Sequence, residues 1–319
     1  MSYQLINIAE VIYSVSNLTK PHRFFCDYGG MHCTGQYQTD KSVLSFWDLK
    51  EGVTAKEELI TFAEYPYGQL RLIKIDGVEQ KIIRSSQQPW DVGGIMDINL
   101  RVPEVKRTFN ELRDLGWHGL SDPLFQKMGP FELYDILMRG YDDVIIAFTH
   151  RTQPPLELKA GYNIPSHIYN SSITSANLAE SKDFYQNKLG FSLLNEYEVA
   201  KDLPQENMFG LPHNVIVDVK CAANIFSMDG RRDVIFQTIE FIGATGKNFT
   251  DRGSPPNIGF LMYRCKVDGL ESYQSHLKEG GVQLYKEITP LWIEPYGEVR
   301  SFVIISPEGV WWEFFECSK

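Results

Sequence analysis

Apolar and polar residues alternate with period two along VIYSVSNL (11–18), DINLRV (97–102), DVIFQTIEFIG (233–243), GFLMYRC (259–265), EVRSFVII (298–305) and VWWEFFE (310–316), which predicts strands. Apolar spacing near 3.6 predicts helices over TKPHRFFCDYGG (19–30), from Leu178 onward, and over EVKRTFNELRDLG (104–116) and GLESYQSHLKEGG (269–281). Further strands are expected at VLSFWDL (43–49), LITFAEY (59–65), LRLIKI (70–75), FELYDIL (131–137), DDVIIAFTH (142–150), SSITSA (171–176), VIVDVKC (215–221) and NIFSM (224–228). Asn177 followed by Glu180 reads as an N-cap with a capping box. Gly190 and Gly281 stand where helices stop, and SPEG (306–309) reads as a turn feeding the last strand.

The pattern repeats. Moved by 160 residues, positions 10–31 fall on 170–191, with Asn17-Leu18 on Asn177-Leu178, Phe24 on Phe184 and Gly30 on Gly190. Moved by 165, positions 97–117 fall on 262–282, with Val102 on Val267, Leu112 on Leu277 and Gly116 on Gly281. Four strand–helix–strands modules result, at about 4–77, 92–150, 166–243 and 256–319. The expected organisation is α+β: four tandem βαβββ modules paired into two cup-shaped half-barrel domains, 1–152 and 166–319. The proline-bearing stretch 153–165 links them. A helix laid on one face of a curved sheet leaves the other face free, so the contents of each cup decide function.

Composition narrows the partners. A net charge of −10 without a basic block argues against nucleic acid. Five scattered cysteines without a CxxC argue against a disulfide framework or a zinc cage and favour reduced thiols. No stretch reads as a leader or a membrane span, so the expectation is a soluble, cytoplasmic protein acting on a small molecule, as a monomer or homodimer. Aromatic residues make up 13% of the chain and suit either a core or an aromatic-lined pocket.

SSITSANLAESKDFYQNKLGF, FGLPHNVIVDV, NIGFLMYRCKVDGLESYQSHLKEGGV and YGEVRSFVIISPEGVWWEFFE resemble the vicinal-oxygen-chelate superfamily. That superfamily holds glyoxalase I, methylmalonyl-CoA epimerase, extradiol dioxygenases and antibiotic-resistance proteins. The resemblance covers 166–319 and, more faintly, 4–150. It implies metal ligands on the first and last strands of each module. Carried over, those positions are Glu313 in the last module and Glu240 and Asn170 in the third; the fourth module's first strand offers Phe260 or Met262. In the first half the first-strand positions fall on Glu10 and Asp97, read as a vestigial pair. The Arg of glutathione-dependent glyoxalases falls on Thr174. Two carboxylates and an Asn support neither ring cleavage nor glutathione-dependent glyoxalase chemistry; an Asn170–Glu240–Glu313 oxygen set suits a weakly bound hard divalent ion or none.

Alternation places Trp311, Glu313 and Phe315 on one face, Phe236, Thr238 and Glu240 on another, and Asn170, Ser172 and Thr174 on a third. All are expected to line the C-terminal cup, with Phe260, Met262 and Arg264 beside them. Arg264 would anchor an anionic or carbonyl group, and His213 would shuttle protons at the mouth. The expected function is isomerase or lyase chemistry on a small oxygenated or aromatic molecule, with Glu240 and Glu313 as base and acid. The alternatives are sequestration of a hydrophobic compound without catalysis, and a cup filled by its own side chains.

Overall fold

A computed structural model describes residues 2–62, 64–86 and 88–318. Met1 and Lys319, the outer limits of the two expected domains, lie outside the described residues.

The first module runs β1 (Gln4–Ser14), α1 (Thr19–His22, continued by wider π-helical turns at Arg23–Tyr28), β2 (His32–Gln38), α2 (Lys41–Phe46), β3 (Thr54–Thr61) and β4 (Gln69–Asp76). The second runs β5 (Ile95–Arg101), α3 (Val105–Asp114), β6 (His118–Gly119), β7 (Leu124–Met128), β8 (Phe131–Arg139) and β9 (Ile145–Gln153). The third has β10 (Asn170–Thr174), α4 (Leu178–Lys182, continued by π-helical turns at Asp183–Lys188), β11 (Ser192–Val199), β12 (Lys220–Ser227) and β13 (Phe236–Ile242). The fourth has β14 (Gly259–Asp268), α5 (Leu270–Glu279), β15 (Leu284–Ile293), β16 (Gly297–Ile305) and β17 (Trp311–Cys317).

The internal repeat extends to backbone detail. The π-helical turns after α1 and α4 stand 160 residues apart, and α3 and α5 stand 165 apart. Asn177 caps α4 by accepting from the Glu180 amide at 3.2 Å. Asn177→Ala is expected to cost about 1 kcal/mol, read as a lower urea midpoint at unchanged slope. Gly190 and Gly281 have φ of 74° and 76°, the left-handed conformation that stops a helix and suits glycine. The SPEG turn closes through the Gly309 amide on the Ser306 carbonyl.

Three expectations are corrected here. VIVDVKC is mostly a 3-10 turn, Ile216–Asp218, and β12 begins only at Lys220. VLSFWDL is not a strand. Asp40 accepts from the Ser42 amide at 2.8 Å and caps α2, whose Val43, Leu44 and Phe46, with Trp47 just beyond it, are buried. The cups also do not follow the halves of the chain. One sheet has the order β15-β16-β17-β14-β1-β4-β3-β2 and the other β11-β12-β13-β10-β5-β9-β8-β6, with β7 on β8. The first module therefore pairs with the fourth, and the second with the third. In each sheet the first strands of the two modules join antiparallel, β1 (11 residues) with β14 (10) and β5 (7) with β10 (5).

One central core joins the helix-facing sides of both sheets, containing Phe24, Phe148, Tyr185, Phe236, Tyr263 and Trp312. The Tyr263 and Ser171 hydroxyls meet at 2.7 Å and tie β14 to β10. The opposite face of each sheet is a cup.

Candidate functional site

The cup of modules one and four is closed. Between β2 and β3, α2 lowers Leu44, Phe46 and Trp47 onto Ile75, Met262, Leu291, Trp311 and Phe315, forming a separate apolar core. At its floor, four charged side chains no more than 1% exposed form a chain of ion pairs. Arg71 Nε and Nη2 bind the two Glu10 carboxylate oxygens at 2.6 and 2.7 Å. Arg264 Nη1 reaches Glu10 at 3.1 Å, and its Nε reaches Glu313 at 3.0 Å. Ser301 Oγ donates to Glu313 at 3.1 Å, and Trp47 Nε1 does so at 3.4 Å. Burial alone would raise the Glu10 carboxyl, but Arg71 and Arg264 outweigh it and hold it at about 2. Glu57, 3.2 Å from Arg71, is the surplus carboxyl; burial raises it against the pull of both arginines.

Register identifies these positions. Glu10 pairs with Arg264 across β1–β14, and Arg264 with Glu313 across β14–β17. The equivalent cross-strand pair in the other cup is Asn170 with Asn99. Register therefore moves the facing first- and last-strand positions away from the Asp97, Glu240 and Phe260 or Met262 that the resemblance gave; in one cup they are Glu10, Arg71, Arg264 and Glu313. In the other they are Asn170, Gln237, Asn99 and Ala147. A divalent ion does not fit the first set, where two guanidinium cations already neutralise the carboxylates. Nor does the second set fit a transition metal, because it offers only neutral amides. The expected Asn170–Glu240–Glu313 set is not assembled, since Glu240 and Glu313 lie in different sheets.

The third module's last strand faces opposite to expectation. Ile239 and Phe241 enter the cup with Leu211, Ile216 and Val219, while Phe236 enters the central core, 4.9 Å from Tyr185 and 5.0 Å from Trp312 between ring centroids. Thr238 and Glu240 follow Phe236 by alternation, and Glu240 accepts from the Leu178 amide at 2.9 Å, capping α4 from outside the cup. Both faces of β13 carry buried residues, Phe236 and Thr238 on one and Ile239 and Phe241 on the other, so alternation alone cannot assign them. Phe260 also lies in the central core, 5.0 Å from Tyr13, because a bulge separates it from Met262, which lines the closed cup. Trp311, Glu313 and Phe315 do share a cup face, but it is the filled one, and Arg264 is buried beside them rather than free to hold a ligand. His213 is exposed on the segment between β11 and β12.

Asn170, Ser172 and Thr174 line the second cup, and residues that sequence reasoning left aside surround them. Asn99 Nδ2 donates to Asp97 at 2.6 Å and Asn170 Nδ2 to Asn99 at 3.3 Å. Gln237 donates to Ser172 at 2.9 Å and accepts from the Tyr197 hydroxyl at 3.0 Å. The Tyr169 hydroxyl donates to Thr149 at 2.8 Å, and Thr174 to the Pro89 carbonyl at 2.6 Å. Asp97 is 2% exposed, and burial pushes its carboxyl up to about 6 against the hydrogen bonds of Ser172 and Asn99. Asp135, on β8, is likewise pushed to about 6 by burial and by the charge of Asp97, against a hydrogen bond from Thr149. Asp135 Oδ1 and Asn170 Oδ1 are buried without a hydrogen-bond partner. At the rim the Arg101 guanidinium stacks 4.3 Å over the Tyr169 ring, and Arg151 is close enough for the two cations to repel.

The β11–β12 connection covers this cup through Leu211, Ile216 and Phe209, while its Leu203 is 71% exposed. The cover of the other cup is the equivalent connection, β2–β3, there wound into α2. Asp97 was legible as an acidic residue on a first strand. Asp135 was not, because it lies on a middle strand to which the resemblance assigns no ligand.

Residues 164–314 match the family described as Glyoxalase/Bleomycin resistance protein/Dioxygenase superfamily. The fold is similar to glyoxalase I from Zea mays, with a TM-score of 0.61 and 14% identity over 99% of this chain and 92% of that one. It is also similar to a Bacillus subtilis protein assigned by name as a dioxygenase, with a TM-score of 0.58 and 10% identity over 100% and 87%. No curated protein matches the chain in sequence. At such identities the likeness is one of fold.

Proposed function

We propose, from the premise that this chain belongs to the Glyoxalase/Bleomycin resistance protein/Dioxygenase superfamily, that it takes a small oxygenated molecule into the cup of modules two and three and exchanges a proton with it through Asp97 and Asp135. One observation carries the reading. Both carboxyl groups are held at about 6 and, among the described residues, make no ion pair, whereas Glu10 and Glu313 in the other cup are neutralised by arginine. A carboxyl poised there gives or takes a proton near neutral pH.

The surrounding groups supply recognition. Asp135 Oδ1 and Asn170 Oδ1 are free acceptors for a hydroxyl of the ligand. Arg101 and Arg151 favour a carboxylate, or the oxygen that turns anionic when the proton beside a carbonyl is removed. Entry requires the β11–β12 cover to lift Leu211 and Ile216 from the cup, and its return excludes water. The reaction class is isomerisation or lyase chemistry.

The apolar lining of the cover favours a second reading, sequestration without turnover. A panel of hydroxy acids, keto acids and phenols, followed by thermal shift, finds the ligand. In the enzymatic reading Asp97→Asn lowers turnover about 100-fold with little change in affinity, and the rate of the unaltered protein turns near pH 6. A ligand bound but never altered at any pH leaves sequestration. Turnover unaffected by Asp97→Asn removes the acid–base role.

A further inference from the structure

Outside both cups, α1 and the β2–β3 pair bring together three side chains that the reading above does not use. One ligand atom each from His22, Cys33 and Glu58 lies within 4.8 Å of the others. Glu58 and Glu57 are neighbours on β3 and point to opposite sides. Glu57 faces the filled cup and Arg71, while Glu58, 2% exposed, faces the helix. His22 Nδ1 meets Glu58 Oε2 at 2.8 Å, and Gln36 Nε2 donates to Glu58 Oε1 at 2.6 Å, fixing the carboxylate from behind. The Cys33 thiol makes only a long 3.6 Å contact with the Gly35 carbonyl. Cys26, on the π-helical turns after α1, is half-buried; burial, helped by the nearby Cys33 and Glu58, raises its thiol to about 12.

We propose that His22, Cys33 and Glu58 form a site for a borderline divalent cation of the zinc type, with Cys26 or water as fourth ligand. Nitrogen, sulfur and carboxylate donors together suit zinc, and a tetrahedral ion needs its donors about 3.3–3.8 Å apart. His22 is on the wall of the site, with 32% of its side chain exposed, so it can rotate inward and leaves the ion a path of entry.

The internal repeat supplies a control. The position 160 residues after His22 is Lys182, and that after Cys33 is Leu193. Asn224 lies opposite Thr238 in the third module as Glu58 lies opposite Leu72 in the first. The third module thus builds the same sheet, helix and π-helical turns without any of the three ligands. The fold does not demand them, and a simple His22–Glu58 ion pair would not call for a thiol.

The test is a cobalt(II) titration of the full chain, freed of metal by chelator and kept reduced. One equivalent is expected to bind with a thiolate charge-transfer band and the strong visible bands of a four-coordinate ion, bleached by zinc. Cys33→Ser should lose the charge-transfer band where water is the fourth ligand and weaken it where Cys26 is. His22→Ala, a half-exposed change with little effect on folding, should weaken binding at least about tenfold. Asp97→Asn should leave the titration unchanged, which separates this site from the cup. No charge-transfer band, or the same spectrum from Cys33→Ser, would overturn the site whatever the cup does.

Discussion

Arg264→Met is expected to destabilise the protein by about 3–5 kcal/mol, seen as a melting point lower by roughly 4–8 °C for a chain of this size. The substitution removes the only guanidinium among the described residues that touches Glu313, leaving a carboxylate with 0% exposure to the Ser301 hydroxyl and the Trp47 indole. Glu10 keeps Arg71, so the loss is confined to one end of the network. The diagnostic comparison is Arg264→Met with Glu313→Leu. Removing both charges replaces an ion pair by apolar volume inside a cup already lined by Trp311, Phe315 and Met262, and should restore most of the lost stability. If the double variant is no better than the single one, Arg264 acts through packing rather than charge. Were Glu313 instead a catalytic acid in an open cup, both variants would keep their stability and lose activity.

Asp97→Asn is expected to stabilise the protein above pH 6 while impairing its function. An acid raised from 3.8 to about 6 binds its proton more tightly in the folded chain than in the unfolded one. The folded state therefore carries no penalty below about pH 4, loses stability as pH rises through about 4 to 6, and bears the full cost above that. Two units correspond to about 3 kcal/mol. Asn keeps the shape and an acceptor for Asn99, and it carries no charge to bury. Urea unfolding at pH 4.5 and pH 7.5 should show a gain for the variant at the higher pH that falls to roughly a third at the lower. An equal gain at both would mean that Asp97 does not titrate in this range. Stability gained where activity is lost is the usual mark of a carboxyl held for chemistry.

The sequence by itself determined the modules. Period-two and period-3.6 patterns located β4, β5, β14, β16 and β17 and the long helices, while β1 lies mostly before the expected 11–18; the 160- and 165-residue offsets located the repeat down to Asn177, Gly190 and Gly281. Those features are local, set by backbone geometry and side-chain spacing within about a dozen residues. α2 was misread because Val43, Leu44, Phe46 and Trp47 are apolar enough for a strand, and only the Asp40 cap marks a helix. β13 was placed the wrong way round because both its faces are buried, so its pattern carries no direction.

Tertiary structure alone decided which modules share a cup, since each module's first strand offers a free edge and nothing local chooses its partner. That choice put Arg264 opposite Glu10 and sent Glu313 into a neutralised, filled interior. It also gathered Asp97, Asp135 and Asn170 from three strands into the other cup, where burial rather than residue type sets their chemistry. Burial and charge neutralisation are sums over neighbours distant in the chain, so no window of sequence contains them.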